Sequence, residues 1–391
     1  MKAYLITPVD IKYSYRGTEY HVYEYAKFLN ENGIDANVLI TEELGRENTR
    51  PVIKNYDSVR RRYSKVGKKE IEMAGVATIH GQPLYTYLNL PKDGPIYFPY
   101  NLHYYLVNIA LKPMGQSYII GSHGLQFKLG KLILGGHQNL ENFVNFATRA
   151  SIFSKLEGAK NVYFHVLNKK QARYLTKLGV KSGNIFYIPA MVDTKNFKMG
   201  SNNSKALKVV HVGGTEKESG IVLEVIKQLN RIGKLGMFEF YFIGNPKPEE
   251  AKELELISKK YDNIHLLGRV SDSVLVSTLS KMDVMMVTAY EIFPKTMLEG
   301  VASGLYMVTS NRNDAAEDFQ ELGVKLDIVK TGVPSEYVQP LVRLANKKSQ
   351  GPAKFNPYKK RNRGIVLKKF DQKVLLSKVL KMFLKVMNTD K

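Results

Sequence analysis

Between residues 206 and 310 the chain alternates without a break between short apolar, β-rich runs and longer amphipathic stretches. ALKVVHVGG, FEFYFIGN, NIHLLGRV, DVMMVTA and LYMVTS read as strands, with helices starting near Gly220, Glu249, Ser273 and Lys295. Strand starts fall roughly 20–30 residues apart, the rhythm of a doubly wound α/β sheet. Parallel strands need a crossover between them, so this pattern confines the segment to α/β folds.

The first half repeats the rhythm less regularly. AYLIT is a strand and PVDIKYSYRGTE a loop. Val22, Tyr25, Ala26 and Leu29 then recur at i, i+3, i+4 and i+7, one face of a helix. Asn32-Gly33 ends that helix, because glycine takes the left-handed cap cheaply, and DANVLI follows as a second strand. Further strands are expected at Pro95–Phe98, Ser117–Gly121 and Val162–Val166, and helices at Asn139–Glu157 and Lys170–Leu178. Residues 45–70, rich in Arg and Lys, read as an exposed loop or amphipathic helix. IFYIPAMVDTKNF closes this block and SNNSK is a polar linker. The fold class is therefore α/β, with two Rossmann-like doubly wound domains in tandem. The boundaries are 1–198 and 199–364, and Gly364–Asn388 forms a basic amphipathic helix or helix pair.

The 391 residues include no Cys, which excludes a disulfide scaffold, thiolate metal sites, a Cys nucleophile and iron–sulfur chemistry. In MKAYLITPVD, Asp10 follows Lys2 too soon for a signal peptide, and no apolar run reaches spanning length. The expectation is a cytoplasmic protein, soluble or peripheral on the inner face of the membrane. Its net charge is +22, unevenly placed. Residues 1–50 carry net −2, residues 51–200 net +14, residues 201–350 zero and residues 351–391 net +10. Two basic blocks flanking a neutral one suit an anionic partner such as phospholipid, lipid phosphate or nucleic acid; a solvated lysine-rich surface is the simpler reading.

The stretch richest in chemistry is Thr288–Gly304, TAYEIFPKTMLEGVASG. It leaves an apolar strand and opens a helix, and at that edge of a parallel sheet ligands bind. The amides of a first helical turn hold phosphate, and Glu291 and Glu299 can accept hydrogen bonds from sugar hydroxyls. Spacing alone is weak, since Glu216 and Glu224 repeat it; the signal is the full E-x-F-P-x-x-x-L-E-x-x-A-x-G context.

With these residues the chain resembles the GT-B glycosyltransferases of the large retaining family four, over nearly its whole length. Arg16-Gly17-Thr18-Glu19-Tyr20-His21-Val22 is similar to that family's glycine-rich first loop. Pro99–His103 and Ser122-His123-Gly124 resemble its two His-bearing strand ends. Ile188-Pro189 with Val192-Asp193-Thr194 and Phe197 resembles the lead-in to the second domain. Val212-Gly213, Phe242-Ile243-Gly244 and Leu267-Gly268-Arg269-Val270 match later strand ends, and Glu291 and Glu299 fall on E-x7-E.

The resemblance implies two domains across a cleft and a C-terminal helix, 365–391, that returns to the N-terminal acceptor domain. Domain 199–364 would hold the donor, a UDP- or GDP-sugar, with no cofactor and no metal. Glu291 would meet the donor sugar, Glu299 the ribose and His123 the sugar, while Gly17 lets the first loop approach the phosphate. Amides near Phe293 and Lys295 would sit by sugar and phosphate, and Arg269 and Val270 would flank the base. The loop Val212-Gly213-Gly214-Thr215-Glu216-Lys217-Glu218-Ser219-Gly220 departs from V-G-R-L-x-x-x-K-G: Gly214 stands at the Arg position and Ser219 at the Lys position. Lys217 and Lys295 are the candidate replacements. The implied reaction is retaining sugar transfer to an anionic or lipid-linked, membrane-proximal acceptor. The alternatives are a binding protein that has lost transfer, or a GT-B protein acting on nucleic acid. Among other residues, His165 reads as a satisfied core group, His21 as packed on the first helix, and His103 and Tyr97–Tyr105 as core or cleft wall.

Overall fold

The computed structural model describes residues 1–7, 17–41, 69–73, 76–81, 91–99, 117–122, 162–177, 179–200, 204–213, 218–289, 293–351 and 354–389. They divide into two compact units, one of residues 1–188 with 376–391 and one of residues 189–375.

The first unit is built on β1 (Lys2–Thr7), β2 (Asp35–Thr41), β3 (Lys69–Met73), β4 (Val76–Gly81), β5 (Ile96–Phe98), β6 (Tyr118–Gly121), β7 (Val162–Val166) and β8 (Ile185–Tyr187). Their order across the sheet is β3-β4-β2-β1-β5-β6-β7-β8. Every described pair is parallel except β3 against β4, a hairpin at the edge. Without that edge strand the order is 3-2-1-4-5-6-7, so the chain winds outward from β1 in both directions. Ala3 to Ile6 are all buried, as in a strand covered on both faces. Helix α1 (Gly17–Glu31) lays Val22, Tyr25, Ala26 and Leu29 into the core, and Gly33 closes it at φ +79°. Helix α2 (Lys169–Lys177) follows β7.

The second unit contains β9 (Leu207–Val212), β10 (Phe238–Ile243), β11 (Ile264–Gly268), β12 (Val284–Val287), β13 (Tyr306–Ser310) and β14 (Leu326–Val329). All are parallel, in the order β11-β10-β9-β12-β13-β14, again 3-2-1-4-5-6. Helices α3 (Ser219–Arg231), α4 (Pro248–Lys260), α5 (Asp272–Lys281), α6 (Lys295–Ala302), α7 (Ala316–Glu321), α8 (Pro334–Ser349) and α9 (Asn356–Lys369) make the crossovers and cap the faces. One core joins Leu207, Val209, Val222, Ile226, Phe240, Val284, Tyr306, Tyr337 and Phe355. Each such side chain contributes about 1.5–3 kcal/mol. Asp283, fully buried before β12, receives Lys348 of α8 at 3.0 Å and Lys359 of α9 at 3.4 Å. Burial depresses the Lys359 ammonium, against the pull of Asp283.

The basic C-terminal stretch forms two helices, α9 and α10 (Gln372–Thr389). Within the first unit α10 buries Leu376, Val379, Phe383, Val386 and Met387, and the Phe383 ring lies 6.2 Å from Tyr97. Lys378, Lys381 and Lys385 stay exposed. Its apolar stripe is therefore core, and only the lysine face is open to an anionic surface. The sequence reading missed β3, β4, β8, β14, α7 and α8; the expected helix Asn139–Glu157 and most of the stretch 45–70 lie outside the described residues. Among the described residues no helix is long and apolar enough to cross a membrane.

Candidate functional site at the carboxyl edge of the second sheet

The winding order of the second sheet reverses between β9 and β12, and a small pocket lies at that switch point. It is lined by His211 and Val212 from β9, by Met285 to Val287 of β12 and the following Thr288 and Ala289, and by Thr296 of α6. The His211 ring is buried, with Nδ1 3.3 Å from the Met286 carbonyl and an edge-to-face contact with Phe242.

Glycines end three neighbouring strands here. The Gly213 amide donates to the Ile243 carbonyl at 2.9 Å, and the Gly244 amide to the Gly268 carbonyl at 2.7 Å. Gly244 has φ +111°, and a Cβ on it would stand 2.0 Å from the Gly213 oxygen. No other residue type allows strand ends this close.

Helix α6 starts after Pro294 and is almost wholly buried. Gly300 lets it approach β12 and β13: a Cβ there would sit 2.9 Å from the methyls of Met285 and Met307. Glu299 is consequently 6% exposed, and Lys295 Nζ lies 3.7 Å from its Oε1. Burial pushes the Glu299 carboxyl up to about 7; Lys295 opposes this and Asp272, at the start of α5, adds to it. A buried carboxyl near neutrality, on the helix whose Thr296 lines the pocket, suits a group completed by ligand hydroxyls.

Phe293 is an anchor. Its ring packs 5.5 Å from Phe319 and 6.0 Å from Phe370. Arg269 is exposed and Val270 half-buried, on the loop that leads to Asp272. Thus Gly213, Arg269, Val270, Phe293, Lys295 and Glu299 all lie on loops or helix starts after β9, β11 and β12 of one sheet. Gly17 is in the other unit, as the first residue of α1. Glu291, His123, Gly214 and Lys217 lie outside the described residues. The strand end before His123 is pinned: Ser122 Oγ donates to Gln171 Oε1 at 2.7 Å, and Gln171 Nε2 returns to the Ser122 carbonyl at 3.1 Å. His165 is a satisfied core group, accepting from the Tyr97 hydroxyl at 2.8 Å and donating to the Ile188 carbonyl at 2.7 Å.

Two residues carry no role in the sequence reading. Glu218 precedes α3 at φ 52°, the one non-glycine residue with positive φ among those described. Arg312, just beyond β13, donates to both its carboxylate oxygens at 2.7 and 2.6 Å. Ninety-four positions separate them, so no local pattern could have found the pair.

Residues 206–347 match the family described as glycosyl transferases group 1. No curated protein sequence matches the chain. Among solved structures, the chain is similar to a sucrose-phosphate synthase from Thermosynechococcus elongatus, at 15% identity, 99% of each chain covered and a TM-score of 0.69. It is also similar to HepE of Anabaena in complex with UDP-glucose (14% identity, 98% of this chain and 100% of that one, TM-score 0.64). A third is a mutant of TarM from S. aureus in complex with Fondaparinux, alpha-GlcNAc-glycerol and UDP (12%, 98% and 99%, TM-score 0.65). The chain therefore has the GT-B glycosyltransferase fold, and its residues 206–347 carry the glycosyl transferases group 1 match.

Proposed function

We propose that the protein is a glycosyltransferase that moves a sugar from a nucleotide-sugar donor, a UDP- or GDP-sugar, to an acceptor with retention of configuration. The observation that carries this is the coincidence of the family match, residues 206–347, with a switch-point pocket lined by Thr296 of α6, the helix that also carries buried Glu299. HepE and TarM with UDP-glucose or UDP at comparable folds support the nucleotide-sugar class.

In this reading residues 199–364 hold the donor. Glu299 accepts from the ribose and Glu291 from the sugar. The amides near Phe293 and Lys295 face sugar and phosphate, Arg269 and Val270 flank the base, and Lys217 and Lys295 supply charge. Gly213 and Gly214 let the loop close on the diphosphate. The leaving phosphate takes the acceptor proton, and the protein positions the partners and stabilises charge without a metal. The acceptor is anionic or lipid-linked, and the exposed lysines of α10 suit a peripheral contact with an anionic membrane on its cytoplasmic face.

Incubation of the purified protein with UDP- and GDP-sugars, following donor binding and hydrolysis, tests this; no binding to any of them rejects it. A second reading rests on Gly214 and Ser219, which replace two charged positions: the fold is kept and transfer lost. Turnover with any acceptor eliminates it. Steeply salt-dependent binding to DNA would favour the nucleic-acid alternative.

A further inference from the structure

The carboxyl edge of the second sheet carries a charged device that the donor reading leaves unused. Arg312 leaves the end of β13 with its amide donating to Ser310 Oγ at 3.3 Å. Gly332, at φ +79°, packs under it: a Cβ there would stand 3.1 Å from Arg312 Cδ. The guanidinium reaches Glu218, and the Glu218 carbonyl accepts from the Thr288 hydroxyl at 3.2 Å. The start of α3 and the ends of β12 and β13 are thereby tied together.

The pair is not explained by stability: its two side chains are each about one-third exposed, at 33% and 34%, where a pair adds little. Glu218 nonetheless holds a left-handed backbone that a β-carbon disfavours, and strain of that kind marks functional loops. Its plane-to-plane geometry uses two of the five guanidinium N–H donors and leaves three. In the adjoining loop, Gly214 and Ser219 stand where the family that the chain resembles carries two basic residues.

We propose that Arg312 supplies the cationic contact to the donor diphosphate, with Glu218 fixing the plane of its guanidinium. The inference rests on the nucleotide-sugar reading for the identity of the anion and on the geometry for the residue. Arg312 comes from the strand beyond β12, so the charge enters from the opposite side of the switch point to the β9 loop.

The test is calorimetric titration of the full chain with inorganic pyrophosphate, then with UDP, GDP and ADP and their nucleosides. Arg312→Gln should weaken pyrophosphate binding at least about 10-fold, and Arg312→Lys should recover part of it. Nucleoside binding should not change, and the salt dependence of pyrophosphate binding should become shallower. Thermal midpoints of Arg312→Gln and Glu218→Gln report the purely structural part of the pair. Pyrophosphate binding that is equal in wild type and Arg312→Gln, or absent from wild type, overturns the proposal. If a nucleoside diphosphate binds both proteins equally, the inference falls and the donor reading stands. If pyrophosphate binding depends on Arg312 but no nucleotide binds, the donor reading falls and the anion contact stands.

Discussion

The two units share one winding order, yet they treat a buried titratable group at the sheet in opposite ways. In the first unit His165 is fully buried and both ring nitrogens are engaged by the unit itself, Tyr97 on one side and the Ile188 carbonyl on the other. Because a carbonyl only accepts, Nε2 carries the proton and Nδ1 accepts, so the ring is neutral. Burial lowers its pKa to about 4, against the weaker opposite effect of the Ile188 bond. In the second unit Glu299 is nearly as buried, but its ion-pair partner stands at 3.7 Å and its pKa rises to about 7. One group is finished by the protein and stabilises it. The other is left costly by folding, as groups that meet a ligand are.

The largest expected effect lies on the ligand side. Glu291→Ala should lower turnover about 10²–10³-fold with an unchanged urea midpoint. Retained transfer would show that the E-x7-E roles do not apply to this chain.

Next comes the structural side. His165→Ala leaves a cavity and two orphaned partners and should cost about 3 kcal/mol in urea unfolding, with donor binding intact. The wild-type histidine binds its proton near 6.5 unfolded and near 4 folded, so the unfolded state takes up more protons between those values. Stability should therefore be full above pH 6.5 and fall as pH drops toward 4. An acid limb of the same slope in His165→Ala would assign it elsewhere.

Glu299 has the reverse sign. Its folded pKa, about 7, exceeds the ordinary 4.5, so its contribution is present below pH 4.5 and lost as pH rises to 7. Glu299→Gln should remove that slope and gain no more than about 3 kcal/mol at pH 8, while weakening nucleoside diphosphate binding. A variant that is more stable and binds equally well would erase the contrast between the units.

Gly244→Ala should destabilise the second unit by about 2 kcal/mol, through its positive φ and the Gly213 oxygen, leaving the first unit's unfolding unchanged. The smallest effect belongs to the half-buried cluster in which Lys227 meets Glu224 at 2.5 Å and also Glu253. Lys227→Ala should stay within about 0.5 kcal/mol of wild type in the same assay.

What the sequence revealed follows the range of the interactions. VVHV and VMMV were visible because strands buried on both faces are continuously apolar. VATIHG and its partner KEIEM escaped, because the hairpin sits at an edge, where polar residues are tolerated and alternation is short. LDIV escaped as a four-residue edge strand after a glycine turn. At the site, Glu299 was visible from its context after an apolar strand, but its raised pKa was not, since that depends on Gly300 admitting the helix to Met285 and Met307. Glu218 and Arg312 were invisible, because folding alone makes them neighbours.

The bridge between Val192 and Asp371 has a consequence for biosynthesis. The Val192 amide donates to the Phe370 carbonyl and the Gln372 amide to the Val192 carbonyl, so the two ends of the second unit meet. That unit is a guest inserted into the first, whose final helix is made last. On the ribosome the guest can close while its host is still missing the helix that carries Phe383 against Tyr97. The usual N-terminal-first order is inverted, and a premature stop near residue 376 would release a folded guest joined to an incomplete host.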